Sequence, residues 1–323
     1  MIPVLAGLDI GGTKCAVVLG VEVDNGIELI AKRSFPTPGT PDKALLLMMN
    51  ELEKLLFEQE ELELKAIGIS CGGPLDSKRG LILSPPNLPN WDRFDVLTPL
   101  IKRFEVPVSV QNDANACALA EWKWGAGKGT SNMIFLTFGT GMGAGFIFNG
   151  RLYTGTNDMG GEVGHIRLDH DGPIGYGKAG SFEGFCSGGG IARLGQMKAL
   201  EWINQGKTSS ICSSQEEIAE ITAKSVGEAA QAGDELANEI YQIVGRKLGR
   251  GLALLVDMLN PEKIVIGSIY LRQEEILKPF VMEELQKEAL TYSLEVCTIV
   301  PSGLEESVGD LASLSVAKYA LDI

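Results

Sequence analysis

Two aspartates close apolar runs, where a buried strand by itself gains little from a charge. Asp9 ends the run 3–9, just ahead of Gly11-Gly12-Thr13-Lys14, and Asn112-Asp113 follows the run 106–111. A second glycine-rich turn, Thr137-Phe138-Gly139-Thr140-Gly141-Met142-Gly143-Ala144-Gly145, follows a third apolar run. Backbone N–H groups in such turns can approach phosphate oxygens that a Cβ would keep away. An acid beside them can hold hydrated Mg²⁺ or accept a hydroxyl proton. Glu162-Val163-Gly164-His165 and Glu183 add groups able to take hydrogen bonds from neighbouring hydroxyls. Together these stretches suit phosphoryl transfer from a nucleoside triphosphate to a sugar hydroxyl.

Each residue also has a plainer reading. Asp113 could simply cap a helix beginning at Ala114, and spacing alone weighs that role equally with a general base. Gly11-Gly12 is a common hairpin dipeptide, but a hairpin does not account for Asp9. A glycine-rich hairpin likewise explains few of Thr137, Gly139, Thr140, Gly141 and Gly143. Glu162 and Glu183 would each pass singly for solvated loop carboxylates. Asn87 and Asn90 fit turn geometry in a proline-rich loop, with Trp91 packing that loop down.

The elements that must position these residues follow from periodicity. Strands are expected at 3–9, 14–22 and 27–33, with Asp24-Asn25-Gly26 as a turn, and again at 66–70 and 106–111. Helical spacing covers 42–58 and 114–124. Strands at 132–138 and 144–149 flank the second glycine turn, and a glycine-rich stretch runs from 153 to 188. Helices are expected at 189–205, 214–231, 234–259, 273–290 and 307–321, with a strand at 263–267 after Asn260-Pro261. The result is an α/β chain of two lobes, 1–120 plus 307–323 and 121–306, the last helix packing back on the first lobe.

The 323 residues comfortably fill two such lobes. A net charge of −14 argues against non-specific nucleic-acid or acidic-membrane binding. No run is long and apolar enough to span a bilayer, and Met1-Ile2-Pro3-Val4 lacks the basic region of a leader. Cys15, Cys71, Cys117, Cys186, Cys212 and Cys297 have no close pairing and read as reduced thiols. These features fit a cytoplasmic protein. No P-loop spacing and no Gly-x-Gly-x-x-Gly fingerprint is present.

The motifs in order resemble the ROK family of the actin-like ATPase superfamily. They are Asp9 to Lys14, Asn87 to Trp91, Asn112 to Ala116, Gly139 to Gly145, Glu162 to His165 and Asn260-Pro261. The resemblance implies a two-lobed, ribonuclease H-like fold with an interlobe cleft, and an ATP- and Mg²⁺-dependent sugar kinase acting on the primary hydroxyl of a glucose-like hexose. Asp113 would be the general base. Gly73, Asn87, Asn112, Asp113, Glu162, His165 and Glu183 would contact sugar. Asp9, Gly11, Gly12, Thr13, Lys14, Thr137, Gly139, Thr140, Gly141, Gly143 and Gly267 would contact ATP, with Asp9 reaching Mg²⁺ through water. The resemblance also covers N-acetylmannosamine and N-acetylglucosamine kinases and fructokinases, and implies a homodimer. A non-catalytic sugar-sensing regulator is the alternative of another class. Its DNA-binding form would need an added helix-turn-helix, for which the early first strand leaves no room.

Two departures stand out. Many family members hold structural zinc between the Glu-x-Gly-His histidine and three cysteines, whose positions here are Ile174, Tyr176 and Ser181. A tetrahedral site cannot be completed by one imidazole, so no zinc is expected. Packing of Ile174, Tyr176 and Phe182 is expected to order the loop instead. Gly267-Ser268-Ile269-Tyr270 also differs from the glycines usual there, leaving Tyr270 either to pack on the base or to narrow the pocket.

Overall fold

The computed structural model describes residues 1–24, 26–59 and 61–322. Asn25, within the expected turn at 24–26, and Ile323, at the end of the expected first lobe, lie outside them. In chain order the first elements are β1 (Ile2–Ile10), β2 (Lys14–Val23), β3 (Gly26–Pro36), α1 (Pro41–Glu58) and β4 (Leu62–Cys71). The short strands β5 (Leu75–Asp76), β6 (Leu81–Leu83) and β7 (Asp92–Asp95) precede α2 (Leu97–Phe104), β8 (Val108–Asn112) and α3 (Asp113–Trp124). Next come β9 (Met133–Phe138), β10 (Met142–Phe148), β11 (Arg151–Tyr153), β12 (Ile174–Gly175) and β13 (Lys178–Ala179). Four helices follow, α4 (Phe182–Phe185), α5 (Gly188–Asn204), α6 (Ala223–Gln231) and α7 (Glu235–Leu259). The chain closes with β14 (Lys263–Ile266), α8 (Ile269–Glu288), α9 (Thr291–Glu295), β15 (Thr298–Pro301) and α10 (Val308–Asp322). Among the described residues no helix is long and apolar enough to cross a membrane.

Two compact units divide the chain. The first comprises Met1–Ser131, Gly145–Gly160 and Gly303–Ile323; the second comprises Asn132–Ala144 and Gly161–Ser302. The expected boundary at 120/121 falls inside α3, and the segment from Gly145 to Gly160 returns to the first unit.

The first unit is built on a five-stranded sheet ordered β3-β2-β1-β4-β8. β1 pairs antiparallel with β2 and parallel with β4, which pairs parallel with β8. Side chains alternate across a strand. Val4, Ala6, Leu8 and Ile10 of β1 join one core with Val17, Leu19, Met48, Leu52, Ile67 and Ile69. Leu5 joins the opposite core with Val18, Ala66, Leu311, Leu314 and Ala317. Covering β4 on both faces explains why Ala66 to Cys71 reads as a continuous apolar run. α10 thus packs on the first unit as expected.

Close approach of α10 depends on Gly68. A Cβ there would collide with the backbone N of Ala317 and O of Ser313. Backbone cannot yield as a flexible side chain can, so Gly68→Ala should destabilise the protein by about 3 kcal/mol. A lower urea midpoint at unchanged slope would report it; an unchanged midpoint would contradict this packing.

In the second unit β14 pairs in parallel with β9 and β15. The long α7 buries Leu236, Ile240, Val244, Leu248, Leu252 and Leu255 at helical spacing. Three expectations are corrected here. The helix at 214–231 is a 3-10 turn, Gln215–Glu220, followed by α6. Thr222 and Ser225 form a capping box that starts α6 afresh, and Ile221 is extended. The helix at 273–290 begins at Ile269 and kinks at Gln273. The strand at 144–149 begins at Met142, because the glycine turn before it is tight, with Gly139 N–H donating to Gly141 O at 3.2 Å.

Candidate active site

Register places the acids of the first unit. Asp9 of β1 lies beside Ser70 of β4, which lies beside Gln111 of β8. One residue further, Ile10, Cys71 and Asn112 stand side by side, and Asp113 follows. These are the C-terminal ends of three parallel strands, the edge at which open α/β sheets bind ligands. Two strand spacings separate the outer pair by about 9–10 Å.

The cap reading of Asp113 does not hold. Helix α3 starts at Asp113 itself, and its N-cap is Asn112, whose Oδ1 accepts the Asn115 N–H at 2.8 Å. Asp113 accepts the N–H of its neighbour Ala114, at 2.9 Å, and its own backbone N–H. Its residue surface is exposed, yet desolvation by surrounding protein raises its pKa, with the Ala114 N–H opposing. A carboxylate on the floor of a depression has both properties. Asn112 therefore spends its carbonyl oxygen on the helix, and its NH₂ group takes no part in that cap. Gly73 lies next to it, open on its other side.

Asp9 is half-buried and its pKa is pushed up to about 6. Burial is the main cause, followed by the charges of Asp113 and Asp310; Lys14 and Lys32 oppose. Lys32 is already paired with Asp310 at 2.6 Å. The Asp9–Asp113 edge is thus short of positive charge. Mg²⁺ fits such a place, since it prefers carboxylate oxygen, keeps several waters and needs no full protein cage.

The turn between β1 and β2 is fixed by Thr37, which sequence reasoning missed. Its Oγ1 donates to Gly11 O at 2.5 Å, and its N–H donates to Thr13 O at 3.0 Å. Gly12 packs on the backbone of Asn87, where a Cβ would clash, so its lack of a side chain has a structural reason as well. Gly12, Thr13 and Lys14 remain exposed. Trp91 is buried and meets Phe94 edge-on at 5.4 Å, holding the proline-rich loop.

The second unit gathers another set. Glu183 on α4 accepts the Met142 N–H at 3.1 Å, tying it to the glycine hairpin of β9 and β10. Gly164 packs between Met142 O and Glu183, where a Cβ would clash. The 3-10 turn Val163–His165 thereby carries Glu162, exposed, and His165, half-buried, to this hairpin. Thr137 Oγ1 accepts the Gly143 N–H at 2.8 Å, so its hydroxyl serves the hairpin. Thr140 is exposed, and Gly139, Gly141 and Gly143 are half-exposed. Gly139 O accepts the Gly188 N–H at 2.7 Å, bringing the start of α5 alongside. Gly267 donates to Leu136 O at 3.0 Å, and Ser268 next to it faces Gly139. Helix α5 itself matches the helix expected at 189–205, starting one residue earlier. Tyr270 is fully buried, its phenol pKa raised to about 12 by desolvation.

The loop at 174–183 also departs from expectation. Phe182 is buried, but Ile174 is 55% and Tyr176 71% exposed, so packing of those two does not order it. A hairpin of β12 and β13 does, together with Ser181, which caps α4 by accepting the Gly184 N–H at 3.0 Å. Among the described residues no three metal-binding side chains of the His, Cys, Asp and Glu types stand together. Purified protein should carry no stoichiometric zinc after dialysis; one zinc per chain by elemental analysis would contradict this.

Residues 5–319 match the ROK family. The chain belongs to that family. A glucokinase of Halalkalibacterium halodurans is 35% identical over 84% of this chain and 82% of its own. A ROK family glucokinase from Streptomyces griseus, solved with glucose and AMPPNP, superposes with a TM-score of 0.74 at 27% identity, covering 98% of this chain and 99% of its own. A ROK family transcriptional regulator, a homologue of the E. coli MLC protein, superposes with a TM-score of 0.85 at 25% identity over 99% and 78%. This ROK protein therefore has the α/β, two-lobed actin-like ATPase fold.

Proposed function

We propose that this ROK protein transfers the γ-phosphoryl group of ATP to the primary hydroxyl of a glucose-like hexose, with Asp113 as general base. The coarser statement, a sugar phosphotransferase, rests on its glucokinase relatives and the ROK kinase structures. The observation that carries the finer reading is Asp113, uncapped, desolvated and at the C-terminal edge of a parallel strand.

In this reaction the sugar oxygen bonds to the γ-phosphorus as the bond from that phosphorus to the β,γ-bridging oxygen breaks. The hydroxyl proton passes to the Asp113 carboxylate. A carboxylate whose pKa lies above the ordinary value of about 3.9 is, in its ionised form, a better proton acceptor. Bound Mg²⁺ would neutralise charge developing on the phosphates. Asp9 would hold it through water. Gly11, Gly12, Thr13 and Lys14, with Gly139, Thr140, Gly141, Gly143 and Gly267, are the proposed phosphate and nucleotide contacts; Thr137 supports its hairpin. The Asn112 NH₂ group, Glu162, His165 and Glu183 are the proposed sugar contacts, with Gly73 and Asn87 beside them.

A second reading, a sugar-sensing regulator without catalysis, is favoured by the likeness to the ROK regulator structure. ADP release measured with glucose, N-acetylglucosamine, N-acetylmannosamine and fructose separates the two. Saturable sugar-dependent turnover supports the kinase, and binding without turnover supports the sensor. The proposal includes a homodimer and no nucleic-acid partner; light scattering tests the former.

A further inference from the structure

The β12–β13 hairpin ends in a two-residue loop, Tyr176-Gly177, with φ of 45° and 75°. Positive φ at both central positions is the type I′ turn, which favours Asn, Asp or Gly at the first. An aromatic residue there is strained. Burial does not repay that strain, because Tyr176 is 71% exposed. Its ring instead meets the His165 imidazole edge-on, centroids 4.9 Å apart at 72°. Two positions along, Lys178 Nζ donates to the His165 backbone O at 2.7 Å. The hairpin therefore grips His165 twice, once by its ring and once by its carbonyl.

We infer that Tyr176 is a positioning residue: it holds the His165 imidazole in the orientation in which that ring receives the sugar. The inference rests on the sugar-kinase reading for its consequence, though not for the contact itself. Imidazole on a short 3-10 turn can rotate about its side-chain torsions, and a neutral ring presents one donor and one acceptor. An edge contact from an aromatic ring limits that rotation, and the Lys178 bond fixes the backbone from which it turns. Strain in the loop is offset locally by this contact.

Tyr176→Asn tests the proposal without threatening the fold, because Asn suits a type I′ turn better than Tyr. Loss of one aromatic pair should raise the sugar KM about three- to ten-fold, with kcat little changed. Tyr176→Phe keeps the ring and should retain the wild-type KM. The protein has two histidines, so His170→Asn assigns the His165 imidazole signals in a ¹H–¹⁵N spectrum by elimination. In Tyr176→Asn those signals should shift while those of His170 stay. Unmoved His165 signals would overturn the proposal, as would an unchanged sugar KM in an active protein. Should the wild type turn over no sugar, the kinase reading fails, and the spectrum alone still decides whether Tyr176 meets His165 in solution.

Discussion

Asp113→Asn should lower kcat by about 10²–10⁴-fold, the usual worth of a positioned general base. The sugar KM should change only a few-fold, because the amide keeps the shape and most hydrogen bonds of the carboxylate. The protein should not melt earlier. Desolvation works against the charged form of Asp113, so a neutral isostere costs the fold nothing there. Stopped turnover with intact sugar binding would mark a proton acceptor. A raised KM with kcat preserved would make Asp113 a binding group and remove the mechanism.

Asp9→Asn should move activity and stability in opposite directions. The Asp9 carboxyl sits at about 6 in the fold, against an ordinary value near 3.8. A group raised in the folded state favours folding fully below its unfolded pKa, and that contribution disappears as pH climbs through its folded pKa. Above pH 6 the charged Asp9 therefore weakens the ligand-free protein, and Asn relieves it. At pH 8 the variant should be more stable by about 1–3 kcal/mol, allowing for partial exposure. Near pH 4 the gain should shrink. Turnover should fall sharply, because the amide cannot offer Mg²⁺ a charged oxygen. In the wild type, kcat/KM should decline as pH drops through the Asp9 pKa of about 6. A variant less stable than wild type at pH 8, by chemical denaturation, would refute this account of the edge. Such a site, destabilising until loaded, is a familiar trade of stability for function.

How much of this was legible in the sequence depended on the range of the interactions. Asp9 and Asp113 could be read, because a charge ending an apolar run is anomalous locally. The strands β1, β2, β4 and β8 and the helices α1, α3 and α7 could be read from periodicity. The role of Asn112 as the cap of α3 could not be separated from that of its neighbour, since either residue type caps helices. Thr37 was invisible because its bond to Gly11 spans 26 positions. The Tyr176 hairpin was hidden for a different reason. Its turn conformation contradicts the preference of its own residue, and the compensating contact with His165 lies outside the loop. The break between the 3-10 turn and α6 was lost because apolar spacing runs through it, while a capping box decides the start.

The central claim is that a carbohydrate hydroxyl, not water, receives the phosphoryl group. Incubation with ATP, Mg²⁺ and glucose, followed by ³¹P–¹H correlation of the product, tests it most directly. Coupling of phosphorus to the two protons of the primary carbon is the expected result. ADP formed with inorganic phosphate alone, while glucose returns unmodified across the sugar panel, would contradict it.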